Sequence, residues 1–346
     1  MWTKANPKTF PLMRSSANMK LHLLTLLCLL TALTTWSNSS QAEGTGKIFV
    51  SNEMDNTISV IDGVTHEVIK TIPVGERPRD MQWHNNKTQL LIATSGSDHI
   101  EILNIETLEI VGTMEAGEDP ELFDLDPSGK ILVASNEDDN ELTVSDTSTG
   151  EKIRTIENVG IEPEGVTFSN DGKVVFVTSE ATNTVIVVDP WSGTILNEAL
   201  VGSRPRRGIF TPDGSEYWVT NELGGTVSII DTYSLEIIDE IFFEKRGMRE
   251  GDINPVQLIM TASGETAYIT LGRAMHVAVV DVKTRTVTDF ILAGDRVWGA
   301  ALTADESLLM VTNGASDDIS IIDTKKKIAV KAVAVGRTPH TIRIDD

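Results

Sequence analysis

From residue 47 onward the chain alternates short apolar runs with polar, turn-forming clusters. One class of run, β-branched and apolar, closes on Asp62, Asn104, Asp146, Asp189, Asp231, Asp281 and Asp323, at successive spacings of 42, 42, 43, 42, 50 and 42 residues. Each unit reads the same way. An apolar run such as residues 48–50 meets a short polar loop, and a second alternating run follows, up to the Asp or Asn. A turn leads to a third run such as residues 68–72, then a Gly-x-x-Pro turn, then a fourth run such as residues 123–125. Four short β-rich runs per forty-odd residues, separated by turn chemistry, predict a four-stranded antiparallel blade, and no helical spacing competes with it. Seven blades in a ring predict an all-β, seven-bladed β-propeller, in which closure removes the exposed sheet edges. The ends of the repeat region support closure: residues 338–344 supply the innermost strand of a first blade whose other three strands come from residues 47–74.

Two stretches carry the repeat most fully, WVTNELGGTVSIIDT at 218–232 and MVTNGASDDISIIDT at 310–324. On these the chain resembles the YVTN-repeat β-propeller family, and by its length, its export signal and one long insertion it is similar to the PQQ-dependent catabolism-associated β-propeller proteins. The resemblance implies a periplasmic accessory protein linked to PQQ-dependent alcohol catabolism; the absence of catalytic motifs, the charged mouth and the insertion make a non-enzymatic binding or scaffold role the expectation. It implies no bound quinone here, because the cofactor-bearing quinoproteins use larger, tryptophan-rich propellers.

Residues 1–42 stand apart from the pattern. A basic start at Lys20, an apolar run and a small-x-small site at Ser40-Gln41-Ala42 predict a leader and signal peptide cleaved after Ala42, with residues 43–346 forming the propeller and the product periplasmic or secreted. Met19 with Lys20 reads as a more natural start than Met1. The apolar run is too short to span a bilayer, so no membrane span is expected after cleavage. The only cysteine, Cys28, lies in this run, which removes disulfide, thiolate and Cys-zinc chemistry from the remainder. With 51 acidic against 29 basic side chains the net charge is −22, a poor surface for nucleic acid.

In a propeller the Gly-x-x-Pro turns and the loops between second and third strands open on one face. The turn glycine is expected to supply backbone freedom, and the proline to fix the chain as it dips into the channel. The residues flanking each proline, or its aligned equivalent, are therefore the candidate ligand- or partner-binding set. These are Arg77 and Arg79, Asp119 and Glu121, Glu162 and Glu164, Arg204 and Arg206, then Arg296 with Trp298, and finally His340. They form an acidic arc over two blades with arginines on both sides, suited to an amine or a carboxylate, or to mutual pairing across blades. The longer spacing places an insertion at residues 242–255, expected to project over the mouth beside Trp298 and to offer Lys245, Arg246, Arg249, Glu250 and Asp252.

No G-x-S-x-G, H-E-x-x-H or C-x-x-C-H motif occurs. His66, His84, His99, His276 and His340 are scattered without metal-ligand spacing, so neither a metal nor a cofactor is expected. The alternatives to a binding protein are a cell-surface interaction protein and a lactonase-like hydrolase, since seven-bladed lactonases place His, Arg and Glu at the mouth and His340, Arg79 and Glu121 imitate that set. The expected partner is a small molecule or a periplasmic protein.

Overall fold

The computed structural model describes residues 44–346, so the expected leader, signal peptide and cleavage point lie outside the described residues. Within them, 28 strands form seven four-stranded antiparallel sheets, each a blade. Blade one is stitched as expected: Lys47–Asn52, Thr57–Asp62 and Val68–Pro73 are completed on the inside by Pro339–Asp345. Val50 pairs with Ile342 and Phe49 with Arg343 in that seam. Blades two to seven follow in chain order, with innermost strands Pro78–His84, Pro120–Leu125, Pro163–Phe168, Pro205–Phe210, Leu258–Met260 and Val297–Leu302. No described helix is long and apolar enough to cross a membrane.

The core lies between blades rather than within them. Ile48 and Val50 pack with Met310 and Ile321 of blade seven, while their neighbour Phe49 turns the other way, toward Met81 and Leu90 of blade two. Each blade thus buries both faces, one against each neighbour. This is why the first and second runs read as continuous Val/Ile stretches: Ile131–Asn136 is buried at every position, not at every second one. The outermost strands are mostly exposed although they keep many apolar residues, such as Ile237, Ile238, Ile328 and Val330. Val68–Pro73 is exposed at all but Ile72.

The Gly-x-x-Pro turn meets the expectation in two blades only. Gly117 (φ 77°) and Gly160 (91°) take a positive φ, but Gly75, Gly202, Gly294 and Gly336 do not; the residue before the proline, or before Val297 in its place, takes one at Arg77 (φ 53°), Asp119 (42°), Glu162 (56°), Arg204 (55°), Arg296 (57°) and Thr338 (54°). Most of these carry a compensating bond from the preceding blade. The backbone N–H of Arg77, Asp119, Glu162, Arg204 and Thr338 donates to Asn56, Asp98, Asn140, Asn183 and Asp317 respectively, at 2.9–3.1 Å. Those five Asx residues are themselves left-handed, as this side-chain type tolerates. The glycine is required by space: a Cβ on Gly202 or Gly294 would sit 2.5 Å from the amide of Asn221 or Asn313.

Candidate functional site

In three blades the asparagine of the repeat core, Asn52, Asn136 or Asn313, bonds the backbone of the turn. Asn136 Nδ2 donates to the carbonyls of Ala116 and Glu118, both at 2.7 Å, and its Oδ1 accepts from Thr143. The hydroxyl one residue earlier reaches the next blade. Ser51 donates to the carbonyl of Arg79 (2.8 Å), Ser135 to Glu164 (2.6 Å), Thr178 to Arg206 (2.7 Å), Thr270 to Trp298 (2.8 Å) and Thr312 to His340 (2.9 Å). The residues after the prolines, and Trp298 after Val297, are therefore held by their own backbone, which leaves their side chains free to point into the channel.

Those side chains form a charged ring. Arg77 bonds Asp119 (3.1 Å) and Glu121 (3.2 Å), and Arg79 pairs with Glu121 and with Glu53 (3.2 Å). Across the channel Arg206 pairs with Glu164 (2.8 Å) and Glu180, and Arg204 with Glu180 (2.7 Å) and Glu222 (3.2 Å). Glu121, Glu164 and Arg206 are buried at 0%, 0% and 4% exposure, so these pairs act in low dielectric. Mutual pairing thus accounts for much of the ring; Glu162 is exposed outside it. The sequence reading missed a second tier of carboxylates, Glu53, Glu137, Glu180 and Glu222. Their signal was present, since each directly follows the repeat's Asn or Ser (Asn52, Asn136, Ser179, Asn221).

The mouth encloses a cavity of about 350 Å³. Its walls include Arg79, Arg204, Arg206, Arg296, Glu53, Glu137, Trp298 and His340. The Trp298 ring faces the guanidinium carbons of Arg296 at 4.4 Å and Arg206 at 5.2 Å, with the His340 ring 5.7 Å away. His340 is 2% exposed and its Nε2 has no hydrogen-bond partner. Burial, reinforced by Arg79, Arg207 and Arg206, holds its pKa well below the ordinary value, so the ring is neutral at neutral pH. Burial raises Glu137, with Glu164 adding repulsion; no ion pair holds Glu137 among the described residues. Burial likewise pushes Glu180 up to about 7 and Glu121 well above the ordinary carboxylate range.

Two overlapping carboxylate groups, Asp119 with Glu121 and Glu137, and Glu137 with Glu162 and Glu180, are close enough to share a cation. Arg77, Arg79 and Arg206 already neutralise part of that charge. The histidines do not converge: His99 Nδ1 lies 2.6 Å from the carbonyl of Ser97 and His276 Nδ1 2.6 Å from that of Ala274, each in its own loop. The insertion does not reach the cavity. Lys245 lies over Phe290 and 3.0 Å from His276 Nε2, and Arg246 and Arg249 are exposed along the rim with Gly225 and Arg273 as neighbours. Trp298, expected beside the insertion, instead packs toward His340.

A family model described as Cytochrome D1 heme domain matches residues 126–346, and one described as Lactonase, 7-bladed beta-propeller matches residues 46–162. No curated protein matches the chain. Among solved structures, the periplasmic gluconolactonase PpgL of Pseudomonas aeruginosa is similar with a TM-score of 0.74 and 15% identity, over 87% of this chain and 99% of that one. Hydrazine synthase of Kuenenia stuttgartiensis gives 0.73 and 20%, over 81% and 92%. The dihydro-heme d1 dehydrogenase NirN in complex with DHE gives 0.65 and 13%, over 86% and 75%. At such identities these likenesses show the fold alone. The YVTN and PQQ-associated resemblance is not what these comparisons support; they favour lactonase-type and haem-d1-type propellers.

Haem is the group implied by the larger match, and the mouth does not fit it. A cavity of about 350 Å³ is at the low end of the roughly 300–1,000 Å³ of ligand pockets, too small to enclose a tetrapyrrole. The one buried imidazole among the described residues, His340, is crowded by Trp298 and by three arginines. The second cavity, at the other end of the channel, is lined by no histidine, tyrosine or cysteine. The pattern of matched residues nonetheless extends over well more than half of the sequence, and the chain belongs to the cytochrome D1 heme domain family.

Proposed function

We propose that the propeller mouth hydrolyses a small lactone, with Glu137 as general base and the surrounding arginines as oxyanion and carboxylate holders. The observation that carries this reading is the convergence on one cavity of an unpaired, pKa-raised carboxylate (Glu137), a neutral buried imidazole (His340) and four guanidinium groups. Hydrolysis needs a base near the operating pH, a site for the developing oxyanion and a holder for the carboxylate product. Glu137 takes a proton from water as the oxygen attacks the ring carbonyl carbon. Arg79 and Arg206 face the negative charge on the tetrahedral intermediate. On collapse the ring C–O bond breaks, and Glu137 returns the proton to the departing alkoxide. The new carboxylic acid loses the remaining water proton to solvent, the acid that is released, and the carboxylate rests on Arg204 and Arg296, above Trp298. His340 Nε2, neutral and unpartnered, positions the water or the ring oxygen. The likeness to a periplasmic gluconolactonase and the match of residues 46–162 to the lactonase family support this reading over a non-enzymatic accessory role. Export to the periplasm belongs to the same proposal, as does a small-molecule partner.

The test is acid release in a pH-stat from sugar lactones, γ-butyrolactone and acyl homoserine lactones. Glu137→Gln lowers kcat by about 100-fold or more, and His340→Ala also lowers it. Because the base must be ionised, the rate rises with pH through the raised pKa of Glu137. No acid release from any lactone rejects the activity; full activity in Glu137→Gln rejects the assigned base.

A further inference from the structure

We propose that the end of the channel opposite the mouth holds a second small-molecule site, built on Arg207, for a monocarboxylate with an apolar body. The innermost strands leave a cavity of about 990 Å³ there. Arg207 lies on its wall at 7% exposure, one residue past the mouth ring on Pro205–Phe210. Its Nη1 donates to Gln257 Oε1, while Nε and Nη2 have no partner among the described residues and no carboxylate lies within ion-pair reach. Nε and Nη2 form one edge of the guanidinium, two parallel N–H donors whose spacing matches the two oxygens of a carboxylate. A buried cation with an empty donor edge is costly to leave unpaired, and an anion supplied from solution satisfies both donors at once.

The nearby acids are otherwise engaged. Asp80 accepts from Arg343 at 3.3 Å and from Gln82 at 3.2 Å. Asp124 accepts from the backbone N–H of Phe168 and Leu125, and burial brings its pKa to about 7. With Asp124 protonated, the set Arg207, Arg343, Asp80 and Asp124 carries one net positive charge, which suits a monoanion. Phe168, Ile209, Leu258 and Ile259 supply apolar wall for the body of the ligand.

The probe is benzoate, with benzamide as its uncharged counterpart, measured by isothermal titration calorimetry near pH 6 on the full propeller. Saturable binding of benzoate but not benzamide is expected. Arg207→Gln lowers affinity at least tenfold, and Arg207→Lys, which keeps the charge but loses the paired donors, lowers it less. Affinity falls between pH 6 and 8 as Asp124 ionises, with Asp80, Arg343, Arg207, Gln82 and Gln257 as the facing groups, and Asp124→Asn flattens that dependence. In crystals soaked with 4-bromobenzoate the anomalous bromine signal appears beside Arg207. Glu137→Gln, which slows lactone hydrolysis at the mouth, leaves this binding in place, so the two sites fail separately. Equal binding of benzamide, wild-type affinity in both Arg207 variants, or bromine at the mouth alone overturns the proposal.

Discussion

At the scale of residues, the channel is lined by groups whose ionisation is set by burial before charge. Asp124 shows the consequence for stability. In the folded protein it keeps its proton to about pH 7, against an ordinary value of 3.8. The folded state therefore binds more protons than the unfolded chain across that interval. Its stabilising contribution is complete below the unfolded pKa and is lost as pH rises through about 7. Asp124→Asn removes this loss, so the urea midpoint of the variant relative to the wild type should climb between about pH 4 and pH 7 and then level off. A difference that stays flat over that range would show that Asp124 ionises normally in the fold. The ring arginines behave in the opposite sense: burial opposes the charge of Arg79, but Glu121, Glu164 and Glu53 outweigh it. Removing one member of that ring leaves a buried charge behind, which costs more than the pair contributes.

At the scale of the element, the repeat is a device for setting a turn against its neighbour. Asn136→Ala takes the donor from the carbonyls of buried Ala116 and exposed Glu118 and should destabilise by about 1–3 kcal/mol, mostly through Ala116. Gly202→Ala drives a Cβ to within 2.5 Å of Asn221 and should destabilise by about 1–3 kcal/mol although φ is not positive there. Both are read from denaturant midpoints. A neutral Gly202→Ala would mean that Asn221 moves freely, and the turn would then owe its shape to the Asx bond alone. The composition of the strands follows from packing on both sides: Ile48 and Phe49 face different blades, so an unbroken apolar run is what this position in a propeller requires. Reading such runs as alternating misplaces the core, while their spacing still counts the blades correctly.

At the scale of the whole molecule, closure depends on the last strand. Pro339–Asp345 pairs along Lys47–Asn52, contributes Ile342 to the seam between blades one and seven, and carries His340 into the mouth. Ending the chain after Val335 exposes the inner edge of blade one and opens that seam; the truncated protein should aggregate and lose cooperative unfolding, as followed by circular dichroism against temperature. Cooperative unfolding at the wild-type midpoint would show that six complete blades stand without the closing strand.

Much of this was legible in order along the chain. The period of 42 residues, the turn prolines and the displaced last strand determine seven blades and their closure, because each is a local pattern that repeats. The same register brings Arg77, Arg79, Glu121, Glu164, Arg206, Trp298 and His340 to one channel, since equivalent positions in a closed ring must face one axis. What only the tertiary structure decided is which of these groups are spent on each other. Whether Arg79 meets Glu121, whether Glu137 stays unpaired, whether the insertion lies on the rim and whether Arg207 keeps an empty edge depend on distances between blades that no local pattern encodes. Those distances come from seams packed by apolar side chains remote from the channel, so the chemistry at the axis is set by contacts that carry no charge.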